Sequence, residues 1–501
     1  MKLILAGSAA LLAYLVWRSL GWPLIHDAPL MHYVAWVIGQ GGVPYRDVFD
    51  MNLPGIYLIH AAILAAAGPG DLAWRLFDLG WLAATCALLW AYTRPLGAGP
   101  AAAGGVLFAL YHLSGGAWRM GQRDFLLCLF LLAGAYGLAC SIERGGALLP
   151  LVLAGLALGV GMTVKPHAAL FWLGSAALAA GGAYRARRRA LTAAVCVLAA
   201  GLVAPAAVFG WLGWRGGLEP FVAVLTGYLL PLYGHVGRVS VWQPFGGYRL
   251  GRALWALLAA LAVLAVAGPA PAGAGARKVI ALAGAVYGAL HFVVQGKGWE
   301  YQLYPLAAFL CALAPFALCR PGVSIPSPPE GERARVRGSV EGLRRRAALA
   351  VLAVTVAVLG AKGVDALEAP WIAAKARVVA AVTRDLAPLA PPGSTVQVMD
   401  VTEGGVHALL NLGRRQPTRF LYDFHFFHDT GDPRIRALRA ELVEGLAAGR
   451  PAAVVVFRDT WNHPGYGRLG EWPELERLLA RSYTLAVEGD GYRIYAKRAD
   501  S

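Results

Sequence analysis

Residues 21–71 read GWPLIHDAPLMHYVAWVIGQGGVPYRDVFDMNLPGIYLIHAAILAAAGPGD. Asp27 stands at an N-cap position before an apolar segment, residues 28–40, which carries Pro29 near its start and is followed by a Gly-Gly pair. A second apolar segment, residues 54–67, begins with a proline and is too short to span a membrane comfortably, since a spanning helix needs roughly 20 residues. The pattern predicts two interfacial helices joined by a polar turn.

The chain around this stretch is strongly apolar. Of its 501 residues 58% are hydrophobic and only 15% are charged, with a mean hydropathy of +0.54, whereas a soluble chain carries roughly 25% charged residues. This composition excludes a single soluble fold, a fibrous chain and a disordered one, and it predicts a polytopic α-helical membrane protein with about eleven transmembrane helices. The candidate spans are 3–20, 72–93, 99–114, 125–142, 147–164, 167–183, 190–213, 251–268, 278–295, 302–319 and 347–364. The first is expected to be a retained anchor and not a cleaved signal peptide, because no small-residue cleavage site precedes Trp22.

Charge is distributed unevenly along the chain. Lys and Arg number 45 against 29 Asp and Glu, a net charge of +16, yet residues 365–501 carry 17 of each sign, so the whole excess lies before residue 365. Basic residues occur at every second junction between spans, which predicts that these junctions are cytoplasmic. They are Lys2, Arg94, Arg144, the 185–189 cluster, Arg277 with Lys278, and the Pro-, Ser- and Arg-rich segment 320–346.

The same alternation places the other junctions outside. These are 21–71, 115–124, the residues around 165, 214–250, 296–301 and the tail from 365. Segment 320–346 is expected to be a flexible cytoplasmic linker. A basic excess confined to an apolar region indicates loops beside a membrane surface, and no nucleic-acid partner is expected.

Residues 365–501 have the composition of a soluble α/β domain. Strands are predicted at 394–400, 452–457, 483–487 and 492–496, and helices at 433–448 and 474–481. All six cysteines lie in apolar segments before this tail, so it has no disulfide framework, which is compatible with a bacterial periplasmic location. The predicted division is therefore a membrane module, 1–364, and an external domain, 365–501.

Five motifs in order along the chain carry a family resemblance. The first external loop of the GT-C glycosyltransferases is resembled by residues 26–60, HDAPLMHYVAWVIGQGGVPYRDVFDMNLPGIYLIH. Within that family the segment is most similar to bacterial members related to protein O-mannosyltransferases and to the lipid A aminoarabinose transferase. The further matches are WRLFD (74–78), GQRDFLL (121–127), GMTVKPHA (161–168) and GKGWEYQLYP (296–305). The family usually shows Asp-Glu after the first span, whereas this chain has Asp27–Ala28.

The resemblance implies transfer of a sugar from a polyprenyl-phosphate donor to a glycan, lipid or protein acceptor at the outer face. Such a transfer needs a carboxylate base on the acceptor hydroxyl and cations on the departing phosphate. Asp27 is the candidate base, Asp124 is the second candidate carboxylate, and Asp50 is the third. The candidate phosphate-binding residues are Arg46, Arg119, Arg123, Lys165, Lys297 and Tyr301.

Structural alternatives remain open for these residues. Asp27 could serve only as a helix cap, Asp124 could form an ion pair with Arg123 or Lys165, and each base could be an interfacial snorkelling residue. Arg75 and Asp78 are spaced as an i,i+3 pair, and a structural pairing is at least as good an interpretation as a site. Tyr304 is interpreted as part of an aromatic belt.

No cofactor and no bound metal are expected. His425 and His428 lie among aromatic residues whose pattern favours a strand or loop over a helical zinc site, and the chain has no P-loop. The predicted location is the bacterial inner membrane. A transporter or flippase of lipid-linked sugars, or a polymerase or ligase of surface glycans, is the alternative function; a transporter would be expected to show paired repeats and interrupted helices.

Overall fold

The computed structural model describes residues 1–185, 189–246, 250–319, 331–461 and 463–499, and it is mostly helical. The fold divides into two compact units, each assembled from separate parts of the chain. The helical unit comprises 1–21, 75–207 and 239–368, and the mixed unit comprises 22–74, 208–238 and 369–501. The predicted division into a membrane module and an external domain stays a prediction.

Every apolar segment predicted to be a span forms a helix. The helices are Lys2–Ser19, Asp71–Thr93, Ala98–Leu113, Arg123–Glu143, Leu148–Val164, Ala168–Arg185, Ala190–Trp214, Gly251–Ala267, Gly275–Gln295, Tyr304–Leu318 and Gly331–Leu367. Within the described ranges, seven helical segments are long and apolar enough to cross a membrane by length and composition. Four of the predicted segments fall among the shorter apolar helices. The number of spans therefore stays a prediction.

Small residues allow close helix packing in the helical unit. A Cβ atom added to Gly159 would lie 2.4 Å from the carbonyl oxygen of Gly201. The backbones of the helices Leu148–Val164 and Ala190–Trp214 therefore approach too closely for any larger side chain at this position.

The expectation of a linker through residue 346 is wrong. Residues 320–330 lie outside the described part of the chain, but residues 331–346 continue the last long helix of this unit, Gly331–Leu367. The physical reason is composition, because the prolines end at residue 329 and the following Glu, Arg, Ala and Leu residues are good helix formers. Part of the basic junction at 185–189 also lies outside the described residues.

The two helices predicted in segment 21–71 are present. They are Asp27–Gly39 and Pro54–Ala67, and Gly68 ends the second with a φ of 80°. The first helix begins one residue earlier than expected, so that His26 takes the N-cap position. The mixed unit also contains the helix Leu218–Val224 and a π-helix, Leu225–Tyr233.

The tail elements predicted from the sequence are also present. Strands β1 (Val396–Met399), β2 (Ala453–Phe457), β3 (Tyr483–Glu488) and β4 (Tyr492–Lys497) form one sheet in the order β1-β2-β4-β3. β1 and β2 are parallel, and the other two pairings are antiparallel. The helices are Pro370–Leu386, Gly405–Leu412, Pro433–Gly449 and Pro473–Ser482, the first two of which were not predicted. Whether this segment is a soluble external domain stays a prediction.

Segment 22–74 packs against the tail within the mixed unit. The Phe49 amide donates to the carbonyl of Arg419 at 2.6 Å. The Gln416 backbone amide donates to the Tyr33 hydroxyl at 2.9 Å. The charge pattern of the sequence predicts that both segments lie on the same side of the membrane, but it does not predict that they share one core.

Candidate functional site

Asp124 is the centre of a buried polar cluster in the helical unit. It lies in the first turn of the helix Arg123–Glu143 and is fully buried. Its carboxylate lies 2.6 Å from Nε2 of His291 and 3.1 Å from Nζ of Lys165. Lys165 also donates to the side-chain oxygen of Gln295 at 2.6 Å. The alternative of an ion pair with Lys165 is therefore confirmed, and the pairing does not by itself exclude a functional role.

A second cluster joins Arg119, Glu300 and Lys362. The Glu300 carboxylate receives Nη2 of Arg119 at 2.6 Å and Nζ of Lys362 at 3.2 Å. The guanidinium of Arg119 lies 4.8 Å from the ring centroid of Tyr111 and 5.6 Å from that of Tyr304. Two cations thus share one carboxylate, which gives these three ionised groups a net charge of +1. Arg119 is fully buried, and its assignment to phosphate binding stays a prediction.

A third cluster is centred on Asp78. The carboxylate pairs with Arg75 at 2.5 Å and with His112 at 2.9 Å, and it accepts the Gly121 amide at 2.8 Å. The pairing predicted for Arg75 and Asp78 is confirmed. The assignment of Tyr304 to an aromatic belt is wrong, because this residue is fully buried and its hydroxyl lies 2.7 Å from Nδ1 of His112. The polar partner explains how a tyrosine is accommodated in the interior.

Three further candidates lie at helix ends in the helical unit. Arg123 is the first residue of its helix and is half-buried. Lys297 follows the helix Gly275–Gln295 and is 7% exposed. Tyr301 is buried, with its ring centroid 5.6 Å from that of Trp118. Their assignment to phosphate binding stays a prediction.

Asp27 differs from the other candidate carboxylates in its exposure. It begins the helix Asp27–Gly39 in the mixed unit, where a negative charge is favoured by the helix dipole. Its carboxylate lies 3.2 Å from Nδ1 of His26, and the two side chains are 22% and 29% exposed. His26 has a φ of 62°, a conformation that is uncommon outside glycine and is often found at functional sites.

Asp50 is buried and already engaged. Its carboxylate accepts the Tyr57 hydroxyl at 2.6 Å, the Asn52 side-chain amide at 2.9 Å and the Met51 backbone amide at 2.6 Å. These hydrogen bonds occupy acceptor sites of the carboxylate. The geometry therefore favours a structural role for Asp50 in fixing the turn.

Arg46 lies in the same polar turn and is exposed. It forms a two-point contact with Asp47 at 2.9 and 3.0 Å. This hydrogen bonding with Arg46 lowers the pKa of the Asp47 carboxyl. An exposed pair of this kind contributes little to stability, about 0–1 kcal/mol, so Arg46 can exchange Asp47 for another anion at small cost.

His425 and His428 meet a tyrosine instead of forming a ligand set. Nδ1 of His425 lies 2.7 Å from the Tyr228 hydroxyl, and Nε2 of His428 lies 2.8 Å from it. Burial lowers the pKa of His425 well below its ordinary value. Among the residues that the structure describes, no group of three or more His, Cys, Asp and Glu side chains could hold a metal ion.

Sequence reasoning missed the histidine and glutamine partners of the buried carboxylates. His112, His291 and Gln295 lie in or at the ends of apolar helices, and a polar residue in such a helix is a signal of function or of a specific partner. That signal was present in the sequence, but it does not say which carboxylate each residue meets.

Comparisons with known proteins identify the fold. No family model and no curated protein sequence matches the chain. The crystal structure of ArnT from Cupriavidus metallidurans bound to undecaprenyl phosphate matches with a TM-score of 0.58 and 14% identity, over 99% of this chain and 98% of that one. The apo structure of the same protein matches with a TM-score of 0.56 and 13% identity, over 100% and 98% of the two chains.

An archaeal protein shares the fold as well. The oligosaccharyltransferase AglB from Archaeoglobus fulgidus, in complex with an inhibitory peptide and a dolichol-phosphate, matches with a TM-score of 0.50 and 12% identity, over 99% of this chain and 74% of that one. ArnT, a lipid A aminoarabinose transferase, and AglB both have the GT-C fold. At such low identity the likeness shows the fold alone, and the chain has the GT-C fold that its motifs predicted.

Proposed function

We propose that this protein is an integral-membrane glycosyltransferase that moves a sugar from a polyprenyl-phosphate donor to an acceptor hydroxyl. The observation that carries the proposal is the likeness to GT-C transferases over nearly the whole chain, including an ArnT structure bound to undecaprenyl phosphate. The order of the motifs along the sequence supports the same function independently of the fold.

Asp27 is the proposed general base. In an inverting transfer the base takes the proton of the acceptor hydroxyl, and the acceptor oxygen forms a bond to the anomeric carbon. At the same time the bond from that carbon to the phosphate oxygen breaks. A base must reach its substrate, and the Asp27 carboxylate is partly exposed, whereas those of Asp50 and Asp124 are buried. Exposure therefore favours Asp27 among the three.

Cations of the helical unit are proposed to stabilise the departing phosphate. Lys165 is held by Asp124 and Gln295, so its ammonium group is positioned before any ligand binds. The net positive charge of the Arg119, Glu300 and Lys362 cluster adds a fixed potential that favours an anion. Positioned charges of this kind need no reorganisation when charge develops on the leaving group. Arg46, Arg123, Lys297 and Tyr301 are proposed as further contributors.

Catalysis is proposed to need no bound metal. The buried carboxylates Asp78, Asp124 and Glu300 each have a cationic partner within 3.2 Å. Their negative charge is therefore already largely neutralised, which weakens any attraction for a metal ion. We expect that prolonged treatment with a chelator leaves turnover unchanged. Loss of turnover that a single divalent ion restores would contradict this.

The proposed location is the bacterial inner membrane, with the reaction at the outer face and residues 365–501 in the periplasm. The alternation of basic junctions along the sequence supports this orientation. Glycan, lipid and protein acceptors are all compatible with a hydroxyl as the attacking group.

The test uses the purified full chain and a radiolabelled polyprenyl-phosphate sugar in detergent. A transferase converts the donor to polyprenyl phosphate without any gradient, and added acceptor extract increases the rate. A transporter or flippase would instead move intact donor across vesicle membranes, and in detergent it would leave the donor chemically unchanged. Extension of a lipid-linked glycan by many units would indicate a polymerase.

A further inference from the structure

A groove runs between the first and the last long helix of the helical unit. These helices are Lys2–Ser19 and Gly331–Leu367, and each contributes to a segment that is long and apolar enough to cross a membrane. The groove contains about 730 Å³ of space not occupied by protein atoms, open space included. Its lining side chains are apolar except for that of Ser8, whose hydroxyl donates to the Ile4 carbonyl of the same helix at 2.7 Å. The described residues that line the groove therefore suit a hydrocarbon occupant.

The groove exists because the two helices touch along only part of their length. A Cβ atom added to Gly360 would lie 2.8 Å from the Leu11 side chain, and one added to Gly363 would lie 2.8 Å from that of Leu15. A Cβ atom added to Gly7, one turn before Leu11, would meet nothing within 4 Å. The helices are therefore in close contact in their C-terminal halves, and the space between them opens toward their N-terminal halves.

The dimensions of the groove favour a flexible chain over a helix. Its lining residues run from Ala353 to Val364 along the last helix, a length of about 16 Å at 1.5 Å per residue. A volume of about 730 Å³ over this length gives a mean cross-section of about 45 Å². A helix with its side chains is about 10–12 Å across and so has a cross-section of about 80–110 Å². A neighbouring helix could insert only side chains here, whereas an acyl chain can fill the groove along its length.

Two cations lie at the open end of the groove. Arg346 is exposed and precedes Ala353 by two helical turns, so it lies on the same face of the helix, about 10 Å beyond the groove. Lys2 is also exposed and directly precedes Leu3, which lines the groove. The nearby acid Glu341 lies five residues before Arg346 and hence on a different face of the helix. Basic residues beside a gap between spanning helices suit the phosphate of an anionic lipid.

We propose that this groove binds one acyl chain of an anionic glycerophospholipid, with the lipid phosphate beside Lys2 and Arg346. The proposal depends on the helices spanning a membrane and not on the proposed function. The polyprenyl-phosphate donor fits this groove less well, because its phosphate is proposed to lie near Lys165, which the charge pattern places at the opposite face of the membrane. A bound acyl chain fills the space that the two helices leave open and so stabilises their packing.

The test measures lipid binding to the delipidated full chain in detergent, by native mass spectrometry and by thermal unfolding. The probes are dioleoyl phosphatidylglycerol, dioleoyl phosphatidylcholine and undecaprenyl phosphate. We expect phosphatidylglycerol to bind more tightly than phosphatidylcholine and to raise the unfolding temperature. Arg346→Gln should weaken the binding of phosphatidylglycerol about fivefold, the effect of one cation near an anionic headgroup. Arg252→Gln replaces an exposed arginine on another helix of the same unit and should leave this binding unchanged.

Gly7→Leu tests the groove itself. The new side chain can enter the groove without a backbone clash, because a Cβ atom at this position meets nothing within 4 Å, and leucine is a better helix former than glycine. The variant should fold, and its affinity for phosphatidylglycerol should fall about tenfold, because the leucine displaces methylene groups of the acyl chain. Gly174→Leu is the matched control, since Gly174 is exposed on another apolar helix and a Cβ atom there also meets nothing within 4 Å.

Four results would overturn the proposal. The first is equal affinity for phosphatidylglycerol and phosphatidylcholine. The second is unchanged binding of phosphatidylglycerol in both Gly7→Leu and Arg346→Gln, with both variants shown to be folded by thermal unfolding. The third is tighter binding of undecaprenyl phosphate that Gly7→Leu abolishes, which would assign the groove to the donor lipid. The fourth is a dimer that Gly7→Leu dissociates, which would assign the groove to a second copy of the chain.

Discussion

Replacing Asp27 by asparagine separates its proposed proton-accepting role from its structural one. The side chain is 22% exposed and begins the helix Asp27–Gly39. Asparagine is nearly isosteric with aspartate, and loss of the charge weakens the interaction with the helix dipole, about 0.3–1 kcal/mol, and the contact with His26. We therefore expect Asp27→Asn to fold and to unfold within a few degrees of the wild type.

Turnover should respond much more strongly than stability. Removal of a general base costs about a hundredfold or more in rate, which corresponds to about 2.7 kcal/mol in the activation free energy. This exceeds the expected change in stability several-fold, so the two effects are distinguishable in one preparation. Donor binding should remain close to that of the wild type.

The assay combines donor turnover with thermal unfolding. Asp432→Asn is the control for loss of a carboxylate at the start of a helix, because Asp432 directly precedes the helix Pro433–Gly449 and its side chain accepts the Arg434 backbone amide. The control should retain both turnover and stability. If Asp27→Asn kept near-normal turnover while Asp27→Ala was destabilised, stabilising the start of the helix would be the whole role of Asp27, and the base would have to be sought at Asp124 or Asp50.

Three further outcomes are expected. Glu300→Gln should lower the free energy of unfolding by about 3–5 kcal/mol, because it leaves two cations without their shared carboxylate; chemical denaturation in detergent measures this. Burial lowers the pKa of His32 to about 4. This imidazole therefore takes up a proton near pH 6.5 in the unfolded chain but only near pH 4 in the folded chain. The free energy of unfolding should fall as the pH decreases from about 6.5 to 4. Reporter fusions at residue 335 should be cytoplasmic, and fusions after 365 should be external.

Each of these has its own control. Glu341→Gln, on the long helix Gly331–Leu367, should cost little stability because this residue forms no described ion pair. His32→Gln should make unfolding less sensitive to pH between 6.5 and 4, and an unchanged pH dependence would refute the assignment to His32. An active periplasmic reporter at residue 335 would reverse the predicted orientation of every loop.

Local features of this protein could be predicted from its sequence. The helices were found because apolar segments have few alternatives to helix, and Pro54 and Gly68 set the limits of the second loop helix through their own backbone preferences. The helix over residues 331–346 was missed because the preceding prolines gave the whole segment the composition of a linker.

Long-range pairing could not be predicted in the same way. His291 lies 167 residues from Asp124 in sequence, and the two side chains meet only because their helices pack together. The contact of Phe49 with the tail likewise depends on how the two segments fold around a shared core. A single sequence shows that polar residues are present in apolar helices, but it does not show which of them face each other.

The proposed phosphate-binding role accounts for the burial of ion pairs in the helical unit. Taking a carboxylate and its partner out of water costs free energy that their attraction often fails to recover, and well-packed apolar residues of similar size serve as well or better. Asp124 is fully buried, yet the Lys165 side chain that it holds is 9% exposed. A carboxylate fixed behind a lysine keeps the ammonium group in place without neutralising it completely, as binding of a phosphate requires. Replacing Asp124 and Lys165 by leucine removes their hydrogen bonds with His291 and Gln295, so the variant should lose some stability. Donor turnover by the folded variant should be abolished if the cluster binds the phosphate, whereas a cluster that only holds the helices together would leave the turnover of the folded protein unchanged.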